Sequence, residues 1–262
     1  MATRFDASGD RLSITSGVYD SDNNFTWCGW VYAVSLPSVG NYATLFTIND
    51  NGISNDDVVY FKGTTGANKR LVVGFNNGTY SETIGTTAIS TATWYFVALI
   101  RSSTTTLTAY LGTLTATIAS EAVITTNASR DLPTRMEMGG NYSTNIDPFD
   151  GRIAYARFYD TNLTLAQLVQ EQYVIRQQWG PAWGFWPIFP GSTERARDYS
   201  GNGRNWTEGG TLTDEAEPPI SWGGLSNFVQ IAAAAPAQDA HELRGPPFGL
   251  RGRQQMAQLL SQ

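Results

Sequence analysis

Residues 149–173 read Phe-Asp-Gly-Arg-Ile-Ala-Tyr-Ala-Arg-Phe-Tyr-Asp-Thr-Asn-Leu-Thr-Leu-Ala-Gln-Leu-Val-Gln-Glu-Gln-Tyr, and this stretch decides the fold. Asp150-Gly151 predicts a turn, and the β-formers from Ile153 to Tyr159 predict an apolar strand after it. Thr164 then stands at the position of a helix N-cap, and Gln167, three residues later, completes a capping box. The stretch therefore predicts a turn, a strand and a short capped helix.

Further strands are predicted before this stretch. The segment Phe25–Val34 is apolar on both faces, which indicates a central strand. Thr93–Arg101 and Leu107–Gly112 flank a polar turn and predict a hairpin. The remaining short strands are predicted at Leu12–Ile14, Ala43–Ile48, Val58–Phe61 and Leu71–Phe75.

At these positions the sequence resembles the laminin G-like branch of the concanavalin A-like jelly rolls. Phe149–Tyr159 is similar to that family's last core strand, which reads roughly phe-asp-gly-x-ile-x-x-x-arg-x-tyr and precedes a short helix. Trp30-Val31 and Met136–Gly140 match an earlier strand and a glycine-containing step, and the resemblance extends over roughly residues 4–175. It implies an all-β fold, a two-sheet antiparallel jelly-roll sandwich with one short helix.

We expect three regions. Residues 1–178 form the laminin G-like jelly roll. Residues 179–228 form an extension rich in Trp, Pro and Gly that packs on the jelly roll and covers apolar surface, and it holds three of the eight tryptophans within eight residues. Residues 229–262, with four consecutive alanines and several prolines and glycines, form an extended C-terminal arm. Within the extension, Asp198–Gly203 resembles the opening of many laminin G-like domains.

The composition excludes several classes of protein. The net charge is −6, and the chain has only two lysines and no basic run, so we expect no nucleic-acid partner. The single cysteine, Cys28, excludes a disulfide framework. No apolar run reaches the ~20 residues of a membrane span, and the N-terminus has no apolar leader, so we expect synthesis in a cytoplasm and no membrane partner.

The sequence predicts no catalytic site. Jelly-roll glycosidases need two carboxylates facing one sugar, and no such block occurs on a predicted strand. Asp214, Glu215 and Glu217 are close in spacing but lie beside Pro218-Pro219, in what we predict to be a loop. The one histidine, His241, lies in the arm. We therefore expect a protein that is not an enzyme and has no cofactor.

The resemblance suggests a calcium site, because many relatives bind calcium with loop carboxylates at the rim of the sheets. Two pairs are candidate ligands, Asp20 with Asp22 and Asp147 with Asp150. Neither pair belongs to a complete twelve-residue calcium loop, and aspartates are ordinary in surface turns. The metal site is therefore left open.

The arm is predicted to bind a partner. Its apolar residues are too sparse for a core but suit separate shallow pockets on a neighbouring subunit, and its arginines outnumber its acids while the rest of the chain is acidic. The predicted partner-binding residues are Ile231, Leu243, Phe248, Leu250, Arg251, Met256, Leu259 and Leu260.

Two functions remain open. The layout resembles uncharacterised proteins encoded in bacteriophages, which favours a non-enzymatic structural or decorating protein of a phage virion, in the capsid or the tail. Its partners would be other virion proteins and copies of itself, and it would be made in the host cytoplasm and located in the virion. The alternative is a carbohydrate-binding, lectin-like module for host or surface glycans.

Overall fold

The computed structural model describes residues 2–6, 9–15, 18–19, 24–49, 57–65, 68–76, 79–125, 133–140, 148–175, 179, 182–188 and 191–220. The predicted arm and its eight partner-binding residues lie outside these ranges. The elements are β1 (Ala2–Phe5), β2 (Arg11–Ile14), β3 (Phe25–Ala33), β4 (Tyr42–Asn49), β5 (Asp57–Gly63), β6 (Lys69–Asn76), β7 (Tyr80–Ala88), β8 (Trp94–Ser103), β9 (Thr106–Thr113), β10 (Ala119–Thr125), β11 (Arg135–Met138), β12 (Gly151–Tyr159), α1 (Leu165–Tyr173), β13 (Gly184–Trp186), α2 (Ser192–Arg195), β14 (Thr207–Gly209) and β15 (Thr213–Glu215).

These strands form two antiparallel sheets. Sheet 1 has the order β10-β9-β8-β3-β12-β1-β15, with β13 also paired to β12, and sheet 2 has the order β14-β2-β11-β4-β5-β6-β7. The apolar side chains of both sheets meet in one core, where the indole of Trp27 stacks on the ring of Phe46 at 4.9 Å. The predicted all-β jelly-roll sandwich is confirmed. The described part of the chain has two helices where one was expected, and the second, α2, has only four residues.

Steric constraints explain why the turn before β12 contains a glycine, Gly151. The ring of Phe149 enters the core between Phe5 and Phe61, at 6.4 and 6.2 Å between ring centroids. A Cβ on Gly151 would lie 2.2 Å from the Phe149 ring and 2.3 Å from the Tyr32 carbonyl oxygen. Because both distances are far below a normal contact, only glycine lets the aromatic ring fold back over the start of the strand.

Helix α1 covers part of the outer face of sheet 1. Its capping box forms as predicted, since the Thr164 hydroxyl accepts from the Gln167 backbone and the Gln167 side chain accepts from the Thr164 backbone. Beneath the helix, Arg157 forms an ion pair with Glu171 at 3.0 Å, and both side chains are fully buried. The Tyr159 hydroxyl donates to the same carboxylate at 2.7 Å.

Arg157 also holds the end of the helix. Its guanidinium donates to the carbonyl oxygens of Glu171, Val174 and Ile175, at 3.3, 2.5 and 2.7 Å. The last carbonyls of a helix have no partner within the helix, and a cation is favourable there. Cys28 lies beside this group, and burial raises the pKa of its thiol to about 12. The Arg and Tyr of the family-like motif are therefore structural residues in this chain.

The Trp-rich segment continues sheet 1. β12 pairs with β1 through its first residues and with β13 through Ala156–Phe158, so β13 follows β1 along the same side of β12. Trp183 and Trp186 are buried in the core, and the Trp186 indole lies 4.9 Å from that of Trp206. The described residues of this segment thus cover the apolar surface of the sandwich.

The Asp-x-Ser-Gly-Asn-Gly motif holds the Trp-rich segment in place through hydrogen bonds. The Asp198 carboxylate accepts hydrogen bonds from the backbone N–H groups of Phe185, Ser200 and Arg204, at 3.0, 2.8 and 2.9 Å. Gly201 and Gly203 have positive φ values of 90° and 71°, which favour glycine. The motif therefore forms a tight loop whose carboxylate holds β13 in place.

Candidate functional site

The outer face of sheet 2 carries a group of aromatic and charged side chains. Along β5 the inward residues Val59 and Phe61 alternate with the outward residues Tyr60 and Lys62. Neighbouring strands add outward residues beside them. We call this group the tyrosine cluster, and it consists of Tyr42 from β4, Tyr60 and Lys62 from β5, and Tyr80, Glu82 and Ile84 from β7.

Hydrogen bonds join the polar atoms of the cluster. The Tyr60 hydroxyl is bonded to the Tyr80 hydroxyl and to the Glu82 carboxylate, and the Lys62 ammonium pairs with the other oxygen of Glu82. The ring of Tyr42 meets that of Tyr60 edge to face at 4.9 Å, and the Lys62 nitrogen lies 4.9 Å from the Tyr42 ring centroid. Three strands are thereby connected through their side chains.

Gly74 of β6 makes room for this arrangement. A Cβ at this position would lie 2.5 Å from the Tyr80 hydroxyl oxygen and 2.9 Å from a methyl carbon of Val58. The absence of a side chain lets Tyr80 reach across β6 to Tyr60 of β5. The glycine in the middle of a strand is therefore explained by the close approach of another group.

The cluster combines buried and exposed parts. Tyr60 is buried, whereas 44 % of Tyr80 and 43 % of Ile84 is exposed. Burial raises the pKa of Tyr60, and the neighbouring Tyr80 and Glu82 raise it further. Burial works to lower the pKa of Lys62, but the hydrogen bond and the charge of Glu82 outweigh it, so the pKa is raised. At neutral pH the cluster presents neutral hydroxyls and a charged Lys62.

The raised pKa values of Tyr60 and Lys62 keep both groups protonated, so neither is activated as a nucleophile. The cluster offers an aromatic ring and an aliphatic side chain to solvent next to hydrogen-bond donors and acceptors that are already held in position. Such a surface suits a ligand that has both apolar faces and hydroxyl groups.

The aspartates predicted from the sequence as candidate calcium ligands are not part of the tyrosine cluster. Asp150 forms an ion pair with Arg4 at 2.6 Å, and Asp20, Asp22 and Asp147 are outside the described residues. Among the residues that the structure describes, no group of three or more His, Cys, Asp or Glu side chains is placed to hold a metal ion.

The expectation of a loop at Asp214 and Glu215 is wrong, because both residues belong to β15, which pairs with β1 ahead of Pro218-Pro219. Asp214 binds Arg195 at 2.8 Å, and Glu215 binds Arg152 at 2.5 Å. Glu217 accepts a hydrogen bond from the Tyr155 hydroxyl. Glu215 and Glu217 therefore attach the extension to β12, whereas Asp214 joins two parts of the extension, β15 and α2.

The sequence did not single out the tyrosine cluster. Its members come from three strands, and contacts between Tyr60 and Tyr80 depend on the pairing of β5, β6 and β7. One signal was available, since the predicted strand Val58–Phe61 alternates inward apolar residues with an outward tyrosine, and the Asn77-Gly78 turn places Tyr80 on a neighbouring strand.

A laminin G family model, described as the concanavalin A-like lectin/glucanases superfamily, matches residues 6–169. The chain belongs to this superfamily. The predicted family is thus confirmed, and the match covers the strands of the tyrosine cluster, β12 and the first turn of α1. Among curated protein sequences, none matches this member of the superfamily. Neither helix in the described part of the chain is long and apolar enough to cross a lipid bilayer.

Solved structures share the fold of this superfamily member. A "putative carbohydrate binding protein" from Bacteroides ovatus superposes with a TM-score of 0.59 at 16% identity, over 84% of this chain and 61% of that protein. This chain thus spans about three fifths of that protein's length. The heptameric SAP-like pentraxin from Limulus polyphemus superposes with a TM-score of 0.51 at 11% identity, over 64% of this chain and 80% of the pentraxin. At these identities the likeness is one of fold.

Proposed function

We propose that this protein is a non-enzymatic carbohydrate-binding module that binds a glycan on the outer face of sheet 2. The observation that carries the proposal is the tyrosine cluster, in which three aromatic rings and the Lys62–Glu82 pair meet on one face, with Tyr80 and Ile84 exposed to solvent.

The physical reason is the match between the cluster and a sugar. One face of a pyranose ring carries C–H groups that pack on an aromatic or aliphatic surface, and its edges carry hydroxyls. Tyr80 and Ile84 supply the apolar surface, and Lys62 and Glu82 supply a donor and an acceptor. Because Tyr60 and Gly74 already hold Tyr80 in place, little side-chain entropy is lost on binding.

The relatives support the same reading. The superfamily's description includes lectins, and the Bacteroides ovatus protein with the shared fold is named for carbohydrate binding. These comparisons favour the carbohydrate-binding alternative over the virion role that the sequence placed first.

The absence of catalysis is part of the proposal. Glycoside hydrolysis needs two carboxylates about 5–9.5 Å apart around one bond. In the tyrosine cluster Glu82 is the only carboxylate, and it is bonded to Lys62 and Tyr60. Asp214 is paired with Arg195 of α2, and Glu215 is paired with Arg152 of β12. We expect no reducing sugar to be released from a bound glycan.

The test is a glycan array followed by titration calorimetry with the best ligand, for the wild type and for Tyr80→Ala. Loss of Tyr80 should weaken binding about tenfold or more, which is about 1.4 kcal/mol. Tyr199→Ala is the matched control, because Tyr199 is 38% exposed and its hydroxyl is likewise hydrogen-bonded to a side chain, that of Glu194, but it lies outside sheet 2. Absence of any glycan ligand, or equal affinities of the wild type and Tyr80→Ala, would overturn the proposal.

The virion setting stays a prediction. A structural or decorating role in a phage particle depends on the arm, residues 229–262, which lies outside the described residues. We propose to test it with a deletion that ends at Phe228. If the arm docks this protein on neighbouring subunits, the shortened protein folds but fails to join the particle, and assembly at wild-type occupancy would exclude this role.

A further inference from the structure

Arg70 of β6 lies directly opposite Lys62 of β5, at the edge of the tyrosine cluster. Arg70 points outward, because its neighbours Leu71 and Val73 point into the core. Two like charges in directly opposite positions on paired strands repel each other. The position is therefore electrostatically unfavourable unless negative charge compensates both side chains.

Among the residues that the structure describes, Lys62 has an acidic partner and Arg70 has none. Glu82 pairs with Lys62, while the Arg70 guanidinium donates to the backbone carbonyl of Thr86. No carboxylate of the described residues forms an ion pair with Arg70. Glu121 of β10 approaches the same part of β7 but binds the backbone and hydroxyl of Thr87. Lys62 and Arg70 are thus matched in number by Glu82 and Glu121, but Glu121 binds the N–H side of the peptide group whose carbonyl accepts from Arg70, so the guanidinium has no ion-pair partner among the described residues.

We infer that the glycan bound by the tyrosine cluster is acidic, and that its carboxylate or sulfate group pairs with Arg70. This inference rests on the proposed function and deepens it. A guanidinium presents several N–H donors in a planar fork that matches the oxygens of such anions, and here one N–H group is engaged by Thr86. The negative charge of the ligand also relieves the repulsion between Arg70 and Lys62.

The overall acidity of the chain does not prevent this recognition. At physiological salt, charges further apart than about 8 Å are largely screened from each other, so a ligand group beside Arg70 responds mainly to Arg70, to Lys62 and to the carboxylates beside them, Glu82 and Glu121. Tyr80 and Ile84 then contact the sugar ring. The pairing of the ligand's anionic group with Arg70 makes the site prefer acidic sugars. The apolar contacts add affinity that does not depend on the salt concentration.

The experiment measures binding to matched pairs of oligosaccharides by calorimetry. One pair is a galacturonic acid oligosaccharide and its methyl-esterified form, and the other is a sulfated galactan oligosaccharide and its desulfated form. We expect one acidic member to bind about tenfold more tightly than its neutral partner, and which pair shows this identifies the anion. The preference should decrease as sodium chloride is raised.

Arg70→Gln should remove the preference for the acidic member while leaving binding of the neutral member unchanged. Lys69→Gln is the matched control, because it removes the same charge from the adjacent residue, on the opposite side of β6. A neutral member that binds as tightly as its acidic partner, or a preference that survives in Arg70→Gln, would overturn the inference while the proposed function stands. If neither the array nor these pairs show any bound glycan, the proposed function itself fails, and this inference with it.

Discussion

The outer faces of the two sheets each carry a cation, a carboxylate and a tyrosine bonded to one another. On sheet 1 the group is Arg157, Glu171 and Tyr159, and the two ionic side chains are fully buried under α1. On sheet 2 the group is Lys62, Glu82 and Tyr60, and its ionic side chains are 16% and 21% exposed. Similar chemistry therefore serves two purposes, depending on whether a segment of the chain covers it.

The two groups differ in their bonding partners as well as in their exposure to solvent. Arg157 is surrounded by backbone carbonyls at the end of α1, so its bonds hold two elements of the fold together. Lys62 and Glu82 are joined to tyrosine rings that reach the surface. The first group can be removed only at the expense of stability. Under the proposed function, we expect changes to the second group to affect ligand binding more than stability.

The largest expected effect is on sheet 1. Arg157→Met should lower the free energy of unfolding by about 3–5 kcal/mol, because it leaves Glu171 and three carbonyls buried without their partner. Urea denaturation measures this loss. The control is Arg197→Met, whose solvent-exposed pair with Glu194 should contribute little to the free energy of unfolding. Equal losses in the two variants would show that the buried group does not hold α1.

The second prediction concerns alkaline pH. Burial raises the pKa of the Cys28 thiol from its ordinary value of 9.0 to about 12, so above pH 9 the unfolded chain releases this proton while the folded chain retains it. Stability is therefore lost as pH rises, by about 1 kcal/mol between pH 9 and pH 10 from this group.

Urea denaturation at a series of pH values checks this loss, with Cys28→Ala as the comparison. The variant is expected to be less stable at neutral pH because of the cavity it leaves, but its stability should fall less steeply between pH 9 and pH 10. Parallel curves for the two proteins would contradict the assignment. Buried tyrosines with raised pKa values, such as Tyr60 and Tyr159, also lower stability in this window, so the difference between the two proteins is the part that reports Cys28.

The third prediction concerns sheet 2. Gly74→Ala places a methyl group against the movable end of Tyr80 and against a methyl carbon of Val58, so it should lower the free energy of unfolding by about 1–2 kcal/mol. Glycan affinity should nevertheless fall severalfold, because Tyr80 can no longer reach Tyr60. Calorimetry with the glycan and urea denaturation on the same preparation separate the two effects. Unchanged affinity would show that the position of Tyr80 does not matter for binding.

The fold was largely predictable from local sequence signals. The turn at Asp150-Gly151, the strand after it and the capping box at Thr164 depend on residues close together in the chain, and the structure has all three. The strand β15 was missed because Pro218-Pro219 suggested a loop, whereas the pairing of Asp214 with Thr3 of β1 joins residues far apart in sequence.

The candidate site was not predictable in the same way. Tyr42, Tyr60 and Tyr80 are separated by about twenty residues each, and only the register of β4 to β7 brings their rings together. Gly74 gives no sign in the sequence that it makes room for Tyr80. The sequence analysis looked instead at loop aspartates, of which the structure describes Asp150 and pairs it with Arg4.

The most direct test is to map the bound glycan by NMR, with ¹⁵N-labelled protein titrated with the best ligand from the array. The account predicts that the backbone signals that shift most belong to β4, β5, β6 and β7, around Tyr60, Arg70 and Tyr80, while the signals of α1 and of residues 191–205 stay in place. Shifts concentrated on α1, on the loop after Asp198 or on the ends of the sandwich would contradict the assignment of sheet 2 as the binding face.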